Sequence, residues 1–576
     1  MITLLRNAQV FTAEEEQPYA EAVAYENERL IYVGKDDPKE WGRLVGEEAR
    51  IVDLGGKFVL PGFIDSHIHP AAVAMSNWHI KVPMFERAGE LLAYIKAYAA
   101  DHPKEEIPFL YFEYYPTNMF SADGPTKELL DTAVSDRPCL CQDFGDHMHW
   151  VNSKMLELME VDARTPDPVP GLEMFVRDEE GNPTGWVKER AWMSFADKMY
   201  EKIGWKPPEE ITEKSLGTVL NFFKENGITA LFDAVVESEE QLSVLRAMDD
   251  GGRLKLYYDG AVRFRSFADL PEKIAVLREY QRKYGSRHIK LQTMKLFLDG
   301  TNESGNGAYL EPHINDPSEA NYGEIKMEEE ELKRCFLLCN EEGLDVHLHI
   351  VGDRAFRTGW KAAAAAKKEA AARGKEWVSQ IVFAHCELVD PADMEKPAQL
   401  GIRVNWSCHW SGGYFGDDAK HFISEEKWNN MYQFNPMLAA GTQVAFSSDV
   451  ITYYELDRAN PFFGIQVANT RIDPQFPLDP EVYPGSVRPP ENGRLSLEVL
   501  LRGYTIAGAE QLHWEEIMGS LKPGKLANLC IVSENPFSVE PGKIKDIEFH
   551  SVVFEGEVIW GRLSDGNTDS HQGGVI

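Results

Sequence analysis

Cysteine and long apolar runs are both scarce in this sequence. Seven cysteines in 576 residues are few and odd in number, which excludes a disulfide framework and predicts reduced thiols in a cytoplasmic protein. The close pairs at 139/141 and 335/339 lack a matching second pair, so buried apolar packing is expected rather than a thiolate metal site. No run approaches the roughly 18 apolar residues of a membrane span, and no signal peptide is recognisable at the start.

Positive charge is also in short supply. Lys and Arg total 59 against 93 Asp and Glu, which gives a formal net charge of −34 at pH 7. A surface of this sign repels the phosphates of nucleic acids and the head groups of anionic lipids. Neither nucleic acid nor a membrane is therefore expected as a partner, while the choice between a monomer and a homo-oligomer stays open.

The two ends of the sequence resemble each other and differ from the middle. Residues 2–60 and the final segments "LANLCIVSENP" and "FHSVVFEGEVIWGR" read as short alternating strands separated by Gly and Asn turns. We therefore expect residues 1–56 and 520–576 to form one composite β-sandwich domain. Residues 57–519 are expected to form a second, larger domain with an insertion at about 90–225.

Eight compact apolar runs alternate with segments of helical period in this larger region. They lie near residues 58, 227, 254, 293, 343, 380, 401 and 442. Eight parallel strands close a (β/α)₈ TIM barrel, so the predicted fold class is α/β. The gap of about 160 residues between the first two runs exceeds what one helix needs, which predicts a large insertion after the first barrel strand.

Several of these runs end in residues of the types that can act as metal ligands. Barrel chemistry takes place at the carboxyl ends of the strands, and imidazole and carboxylate groups suit a divalent ion such as zinc. The side chains at the ends of the first, fifth, sixth and eighth runs are His67, His69, His347, His349, His385 and Asp449. The pattern predicts a metal site, and satisfied core histidines are the alternative.

Lys295, in the fourth run, points by strand parity to the same side as Phe297 and Asp299. A protonated lysine inside an apolar barrel beside metal cations is costly. Once neutral, its amine can add carbon dioxide to form a carbamate, whose two oxygens would be able to bridge two metals. The alternative, a snorkelling surface lysine, suits Lys290 better.

Segments along the whole chain carry a family resemblance. They are "LPGFIDSHIHP" (60–70), "GDHMHWVNSKML" (145–156), "TPDPVPGL" with "VRDEEGNPTGWVKERA" (165–191), "GITALFDA" (227–234), "KLFLDGT" (295–301), "HIVGDRA" (349–355), "FAHCELV" (383–389), "SSD" (447–449) and "GSLKPGKLANLCIV" (519–532). With this ordered set the chain resembles the metal-dependent amidohydrolase superfamily and, within it, the N-substituted formamide deformylase branch, amidohydrolase family 3.

The resemblance implies a binuclear metal centre with zinc as the expected ion. Hydrolysis of a non-peptide C–N bond in a small amide, an N-substituted formamide or N-acyl compound, would follow from a hydroxide that bridges two divalent ions. His349 is preferred to His347 because only "HIVGDRA" fits the family pattern. The implied roles are His67 and His69 on the first metal, a Lys295 carbamate between both, His349 and His385 on the second metal, Asp449 as ligand and proton shuttle, and His147 as a catalytic group near the substrate.

Two loops depart from the family pattern and leave the substrate open. "TNESGNGAYL" follows "KLFLDG" where relatives often have Ser-Arg-Thr, and "NWSCHWSGGYFGD" replaces a Gln-Pro pair after the seventh run. In the second loop, Trp406, Trp410 and Tyr414 are candidates for an aromatic wall of the substrate pocket, with ordinary loop packing as the alternative.

Two other functions also stay open. One is a mononuclear deaminase of a cyclic amidine, which has the same fold and needs no bridging lysine. The other is a non-catalytic regulatory or binding relative. The complete set of six ligand residues argues against this non-catalytic alternative, because a site that has lost catalysis usually loses a ligand first.

Overall fold

A computed structural model describes the chain over most of its length. The described residues are 1–46, 48–83, 85, 87–116, 119–121, 123–143, 147–170, 173–302, 304–316, 318–413 and 417–563. All seven cysteines lie among them as buried free thiols. Within these ranges, no helix has both the length and the apolar character that crossing a membrane requires.

Eight parallel strands form a barrel in which each strand lies beside its predecessor in the chain. They are β1 (Phe63–Ile68), β2 (Ile228–Asp233), β3 (Tyr257–Arg263), β4 (Ile289–Phe297), β5 (Asp345–Ile350), β6 (Ile381–His385), β7 (Arg403–Ser407) and β8 (Val444–Ser447). The barrel closes between β8 and β1, where the Asp449 N–H donates to the His67 carbonyl at 2.8 Å and Ser66 Oγ donates to the Phe446 carbonyl at 2.8 Å. The predicted eight-stranded barrel is confirmed.

Helices cover the outside of the barrel, so its strands are buried on both faces and read as nearly continuous apolar runs. The alanine-rich helix Asp353–Ala372 buries Ala362, Ala363 and Ala366, whose small side chains allow close packing. The α-helices of the described residues, including those beside the terminal sheets and in the insertion, are Pro38–Val45, Pro70–Met75, Ala88–Asp101, Lys127–Asp131, Ser153–Met159, Met193–Ile203, Glu213–Glu225, Glu239–Asp250, Leu270–Tyr284, Glu329–Glu342, Asp353–Ala372, Lys396–Leu400, Glu425–Asn429, Phe434–Ala439, Pro461–Thr470, Leu497–Gly503 and Ile506–Gln511.

Strands from both ends of the chain form two sheets that share one apolar core. The first sheet has the order Arg29–Gly34, Ala22–Glu26, Ile2–Arg6, Arg50–Asp53. The other sheet has the order Glu557–Gly561, Phe549–Phe554, Leu529–Val532, Phe58–Pro61, Gln9–Phe11, Tyr19–Ala20. The exact domain limits at 56/57 and 519/520 stay a prediction.

Gly62 separates two sheets within what reads in the sequence as one apolar run. Phe58–Pro61 pairs with the terminal strand Leu529–Val532, whereas β1 begins at the next residue after Gly62. The Gly62 N–H still donates to Asn528 at 2.9 Å, but the Phe63 N–H already donates to Gly227 at 2.9 Å, beside β2. A Cβ at position 62 would lie 2.3 Å from Thr229 Oγ1, so only glycine fits this crossing.

The segment between β1 and β2 builds its own six-stranded sheet. Its order is Met174–Arg177, Pro183–Lys188, Met148–Val151, Cys139–Asp143, Leu110–Tyr115, Ile80–Lys81. Lys188 Nζ of this sheet donates to the Ser304 carbonyl at 2.9 Å, in the loop that follows β4. The insertion therefore lies against the carboxyl end of the barrel, where the predicted site residues are found.

Candidate metal centre

Two histidines at the end of β1 and an aspartate after β8 converge on one point. His67 Nε2 and His69 Nε2 each lie 3.3 Å from Asp449 Oδ1. One ligand atom from each of the three residues lies within 4.8 Å of the other two. Since β8 and β1 are adjacent across the barrel closure, the two histidines and Asp449 meet there although they are far apart in the sequence. In the described part of the chain, this is the one group of three His, Cys, Asp or Glu residues with such geometry.

The other predicted ligands surround this group. Lys295 Nζ on β4 is 3.5 Å from His67 Nε2, and His385 Nδ1 on β6 is 3.5 Å from Asp449 Oδ2. The ring of His349 on β5 lies 4.5 Å, centroid to centroid, from the ring of His385. All six predicted metal ligands therefore lie together at the carboxyl end of the barrel.

His347, which does not fit the family pattern, contacts His67 on the ring nitrogen that faces away from Asp449. Its Nε2 lies 3.0 Å from His67 Nδ1, so the two rings share one hydrogen bond. His349, two residues further along β5, has its Nε2 at 3.1 Å from the Gly300 carbonyl. A hydrogen bond to the other ring nitrogen fixes the tautomer and orientation of a ligating histidine. His347 thus orients His67.

Burial controls the charges in this site. The pKa values of His67, His347, His349 and His385 are held well below the usual value, first by burial. The next cause is the charge of Lys295 for the first three and the interaction with His349, followed by Lys295, for His385. Burial, with a contribution from Arg263, also lowers the pKa of Lys295 to about 7, against the opposing effect of Asp449. Neutral imidazoles are the form that binds metals.

The donor atoms fit a divalent ion. His69 Nδ1 and His385 Nδ1 are buried and have no hydrogen-bond partner within the described residues. Buried nitrogens of this kind are costly unless something satisfies them, and a metal can do so. A set of imidazole nitrogens and carboxylate oxygens without sulfur suits zinc and neighbouring divalent metals.

The predicted residue His147 reaches the site from the insertion. Its ring lies 6.4 Å from that of His349, and its Nδ1 is 2.9 Å from Glu189 Oε2. Burial opposes ionisation of Glu189, but the interaction and hydrogen bond with His147, helped by the charge of Lys326, lower its pKa to about 2. Glu189 is a site residue that the sequence did not assign, although it lies within the quoted "VKERA" segment.

Backbone strain marks three of these positions. Glu189, His385 and Asp449 are non-glycine residues with φ values of 53°, 76° and 52°. The left-handed region costs about 1–3 kcal/mol for such residues and is found preferentially at functional sites. The fold therefore holds these three side chains in place at some energetic cost.

The three predicted aromatic residues have different surroundings. Trp410 stacks on His385 with ring centroids 5.2 Å apart and stays partly exposed, as a wall of the site requires. Trp406 is fully buried and stacks at 3.6 Å on Phe434 of an outer helix, so this residue follows the packing alternative and does not face the substrate. Its position is set by strand parity, because the neighbouring Asn405 points to Ser66 of β1. Tyr414 lies outside the described residues.

Comparisons with known proteins agree with this architecture. Residues 50–560 match a family described as Amidohydrolase family. The chain is 28% identical over 454 residues to the exoenzymes regulatory protein AepA of Pectobacterium carotovorum subsp. carotovorum, covering 78% of this chain and 94% of that protein. It is 23% identical over 570 residues to the N-substituted formamide deformylase of Arthrobacter pascens, covering 96% and 97%.

A solved structure supports the fold. An uncharacterized metal-dependent hydrolase from Pyrococcus horikoshii OT3 matches with a TM-score of 0.66 and 21% identity, covering 94% of this chain and 99% of that one. At this identity the likeness concerns the fold alone. The match over nearly the full length means that the barrel and the terminal sheets recur together.

Proposed function

Because the chain belongs to the amidohydrolase family, we propose that it hydrolyses a non-peptide C–N bond in a small amide, an N-substituted formamide or another N-acyl compound. Family membership makes the chain a hydrolase of carbon–nitrogen bonds. The observation that carries the proposal is the convergence of His67, His69 and Asp449, with ligand atoms within 4.8 Å of one another, at the carboxyl end of the barrel.

Two divalent metal ions, zinc being the expected one, would be held by side chains from five barrel strands or their following residues. His67, His69 and Asp449 would hold the first ion, and His349 and His385 the other. Lys295, whose lowered pKa favours a neutral amine, would bind both as a carbamate. Bound metal supplies two effects: it lowers the pKa of water, and it polarises a substrate carbonyl.

Asp449 is the residue that we propose for proton transfer. Its Oδ1 and Oδ2 lie among His67, His69 and His385, and its side chain is only 11% exposed. A carboxylate in this position accepts the proton of the attacking water and returns it to the leaving nitrogen. The transfer matters because an amide nitrogen is a poor leaving group unless it is protonated.

His147 is proposed as a hydrogen-bond donor to the substrate. The Glu189 carboxylate accepts a hydrogen bond from its Nδ1 at 2.9 Å and fixes the orientation of the ring. The ring held in this way would face the oxygen of the substrate carbonyl, on which negative charge develops during attack. Trp410, stacked on His385, would contact an apolar part of the substrate.

The test is a combined metal and substrate assay. Purified protein is analysed for bound metal and then screened, metal-replete, against formamides, N-acyl amino acids and aryl amides, with Asp449→Asn as the blank. We expect about two ions per chain and hydrolysis that falls by about a hundredfold or more in the blank. Absence of bound metal, or equal turnover by the blank, would contradict the proposal.

The alternatives make different predictions in the same assay. A mononuclear deaminase of a cyclic amidine would keep its activity in Lys295→Ala, because one ion needs no bridging carbamate. A regulatory protein is suggested by the name of the relative that is 28% identical. Such a protein would bind no metal and hydrolyse no amide, whereas all six ligand residues are present in this chain.

A further inference from the structure

Two cationic side chains lie near one aromatic ring beside the candidate metal centre. The guanidinium carbon of Arg263 lies 4.7 Å from the ring centroid of Phe297, and Lys326 Nζ lies 5.6 Å from the same centroid. That ring is also 5.0 Å from the ring of His349 and 4.8 Å from Lys295 Nζ. One phenylalanine ring therefore lies close both to the two cations and to residues proposed as metal ligands.

Both cations keep their hydrogen-bond donors available. A guanidinium carries five N–H donors and an ammonium carries three. The nearest ion-pair partner of Arg263 is Glu173, at 3.6 Å, which is too long for a hydrogen bond. Across the described part of the chain, neither side chain donates a hydrogen bond, although both are partly exposed and reachable by a ligand.

Acidic groups lie near both cations, but within the described residues none of them accepts a hydrogen bond from either side chain. Glu189 is already hydrogen-bonded to His147. Burial, together with Arg263, lowers the pKa of Lys326 to about 8 even though Glu189 and Glu173 oppose the change. Burial, together with the charge of Arg265, also lowers the pKa of Arg263 against the opposing effects of Glu173, Glu237 and Glu189. A bound anion would accept hydrogen bonds from both side chains and offset the cost of burying their charges.

We propose that Arg263 and Lys326 bind a carboxylate of the substrate, so that the hydrolysed amide carries an acidic substituent. This inference rests on the proposed function and narrows its substrate class. Hydrogen bonds between a charged donor and a carboxylate are about twice as strong as neutral ones, and the planar guanidinium matches a carboxylate with two parallel bonds. The net charge of −34 does not attract anions to the protein in general, so recognition must be local.

Binding of a matched pair of probes tests the proposal without requiring turnover. Racemic N-acetylphenylalanine and N-acetylphenylalaninamide differ in one charge, and their affinities for the metal-replete protein are measured by calorimetry. We expect the acid to bind at least about tenfold more tightly than the amide. Arg263→Gln and Lys326→Gln, made separately, should each bring the ratio to within about twofold while leaving the affinity for the amide unchanged.

Arg334→Gln is the matched control. Arg334 also lies over a phenylalanine ring, that of Phe267, at 3.8 Å. It is an exposed residue of helix Glu329–Glu342, outside the site, so its variant should keep the full preference for the acid. Equal binding of both probes to the unaltered protein, binding of neither, or an acid preference that survives in both variants would overturn the inference. Acid-selective binding without hydrolysis of any amide would overturn the proposed function alone, whereas hydrolysis of neutral amides without acid preference would overturn this inference alone.

Discussion

Glu189 illustrates how one buried side chain can control a reactive neighbour. It touches His147 through Oε2 at 2.9 Å, while its Oε1 is buried without a hydrogen-bond partner among the described residues. The chain keeps this carboxylate ionised and in a left-handed backbone conformation, next to the proposed catalytic histidine. Its role is therefore to position His147 rather than to contact the metals.

Replacing Glu189 with Gln should lower kcat about tenfold to a hundredfold without changing the metal content, since an outer carboxylate that orients a histidine has effects of this size. The measurement is steady-state kinetics together with metal analysis. Glu189→Asp should recover part of the activity, and Glu180→Gln, an exposed residue of the same insertion, should have no effect. Loss of metal from Glu189→Gln would contradict the role in positioning His147, because it would show that Glu189 helps to hold the ions.

At this scale the sequence predicts some residues and misses others for clear reasons. The histidines on β1, β5 and β6 can be found because barrel strands place their ends on one rim. Glu189 cannot be found in this way, because it comes from an insertion whose docking no local pattern describes. Arg263 cannot be found either, since its local sequence is that of an ordinary strand end. For Trp406 the sequence leaves a pocket wall and ordinary packing open, and the structure shows packing, because strand parity directs this side chain to Phe434 of an outer helix.

Among the elements, the loop after β7 depends on a buried arginine. Arg458 donates to His409 Nδ1 at 3.1 Å and pairs with Asp473 at 2.5 Å, with side chains that are 1% and 0% exposed. His409 in turn lies 2.6 Å from the Ser448 carbonyl, next to Asp449. This network holds the loop that presents Trp410 to the site.

Arg458→Met should lower the free energy of unfolding by about 3–5 kcal/mol, because it leaves the buried Asp473 without its ion pair. Urea unfolding provides the measurement. The control is Arg494→Met, whose arginine is 41% exposed beside Glu491 and should change stability by less than about 0.5 kcal/mol. Equal effects of the two substitutions would contradict the importance of the buried network.

The elements also show where prediction from sequence succeeds and where it stops. All eight barrel strands can be predicted from apolar runs, because burial on both faces leaves a continuous signal. The first run predicts a single strand, whereas Gly62 divides it between two sheets. The hydrogen-bond partners change there from Asn528 to Gly227, and both are distant in the sequence, so no local pattern reveals the break.

For the whole molecule, a charged cluster connects the barrel to the terminal sheets. His288, just before β4, has Nδ1 at 2.6 Å from Asp249 and Nε2 at 3.4 Å from Glu555, which follows strand Phe549–Phe554. Arg287 also pairs with Glu555 at 2.7 Å. Burial opposes protonation of His288, but its hydrogen bonds with Glu555 and Asp249 outweigh burial and raise its pKa.

A raised histidine pKa stabilises the fold when the histidine is protonated. The contribution of His288 is therefore complete below its unfolded pKa of about 6.5 and is lost as pH rises through the higher folded pKa. His288→Gln should lower the free energy of unfolding by about 1 kcal/mol near pH 6 and by less near pH 9. Urea unfolding of this variant at both pH values tests this, with the exposed His421→Gln as control. Equal losses at both pH values would rule out protonation as the cause.

The strand Phe58–Pro61 has a consequence for the biosynthesis of the protein. It pairs with Gln9–Phe11 on one side and with Leu529–Val532 on the other, so one partner precedes it closely in the chain and the other is made hundreds of residues later. A ribosome that adds about 5–20 residues per second needs on the order of a minute to supply the later partner. The histidines at the end of β1 therefore leave the ribosome long before the strand that precedes them gains its later partner. A nascent chain interrupted between residues 449 and 529 would carry every proposed metal ligand on an unfinished scaffold.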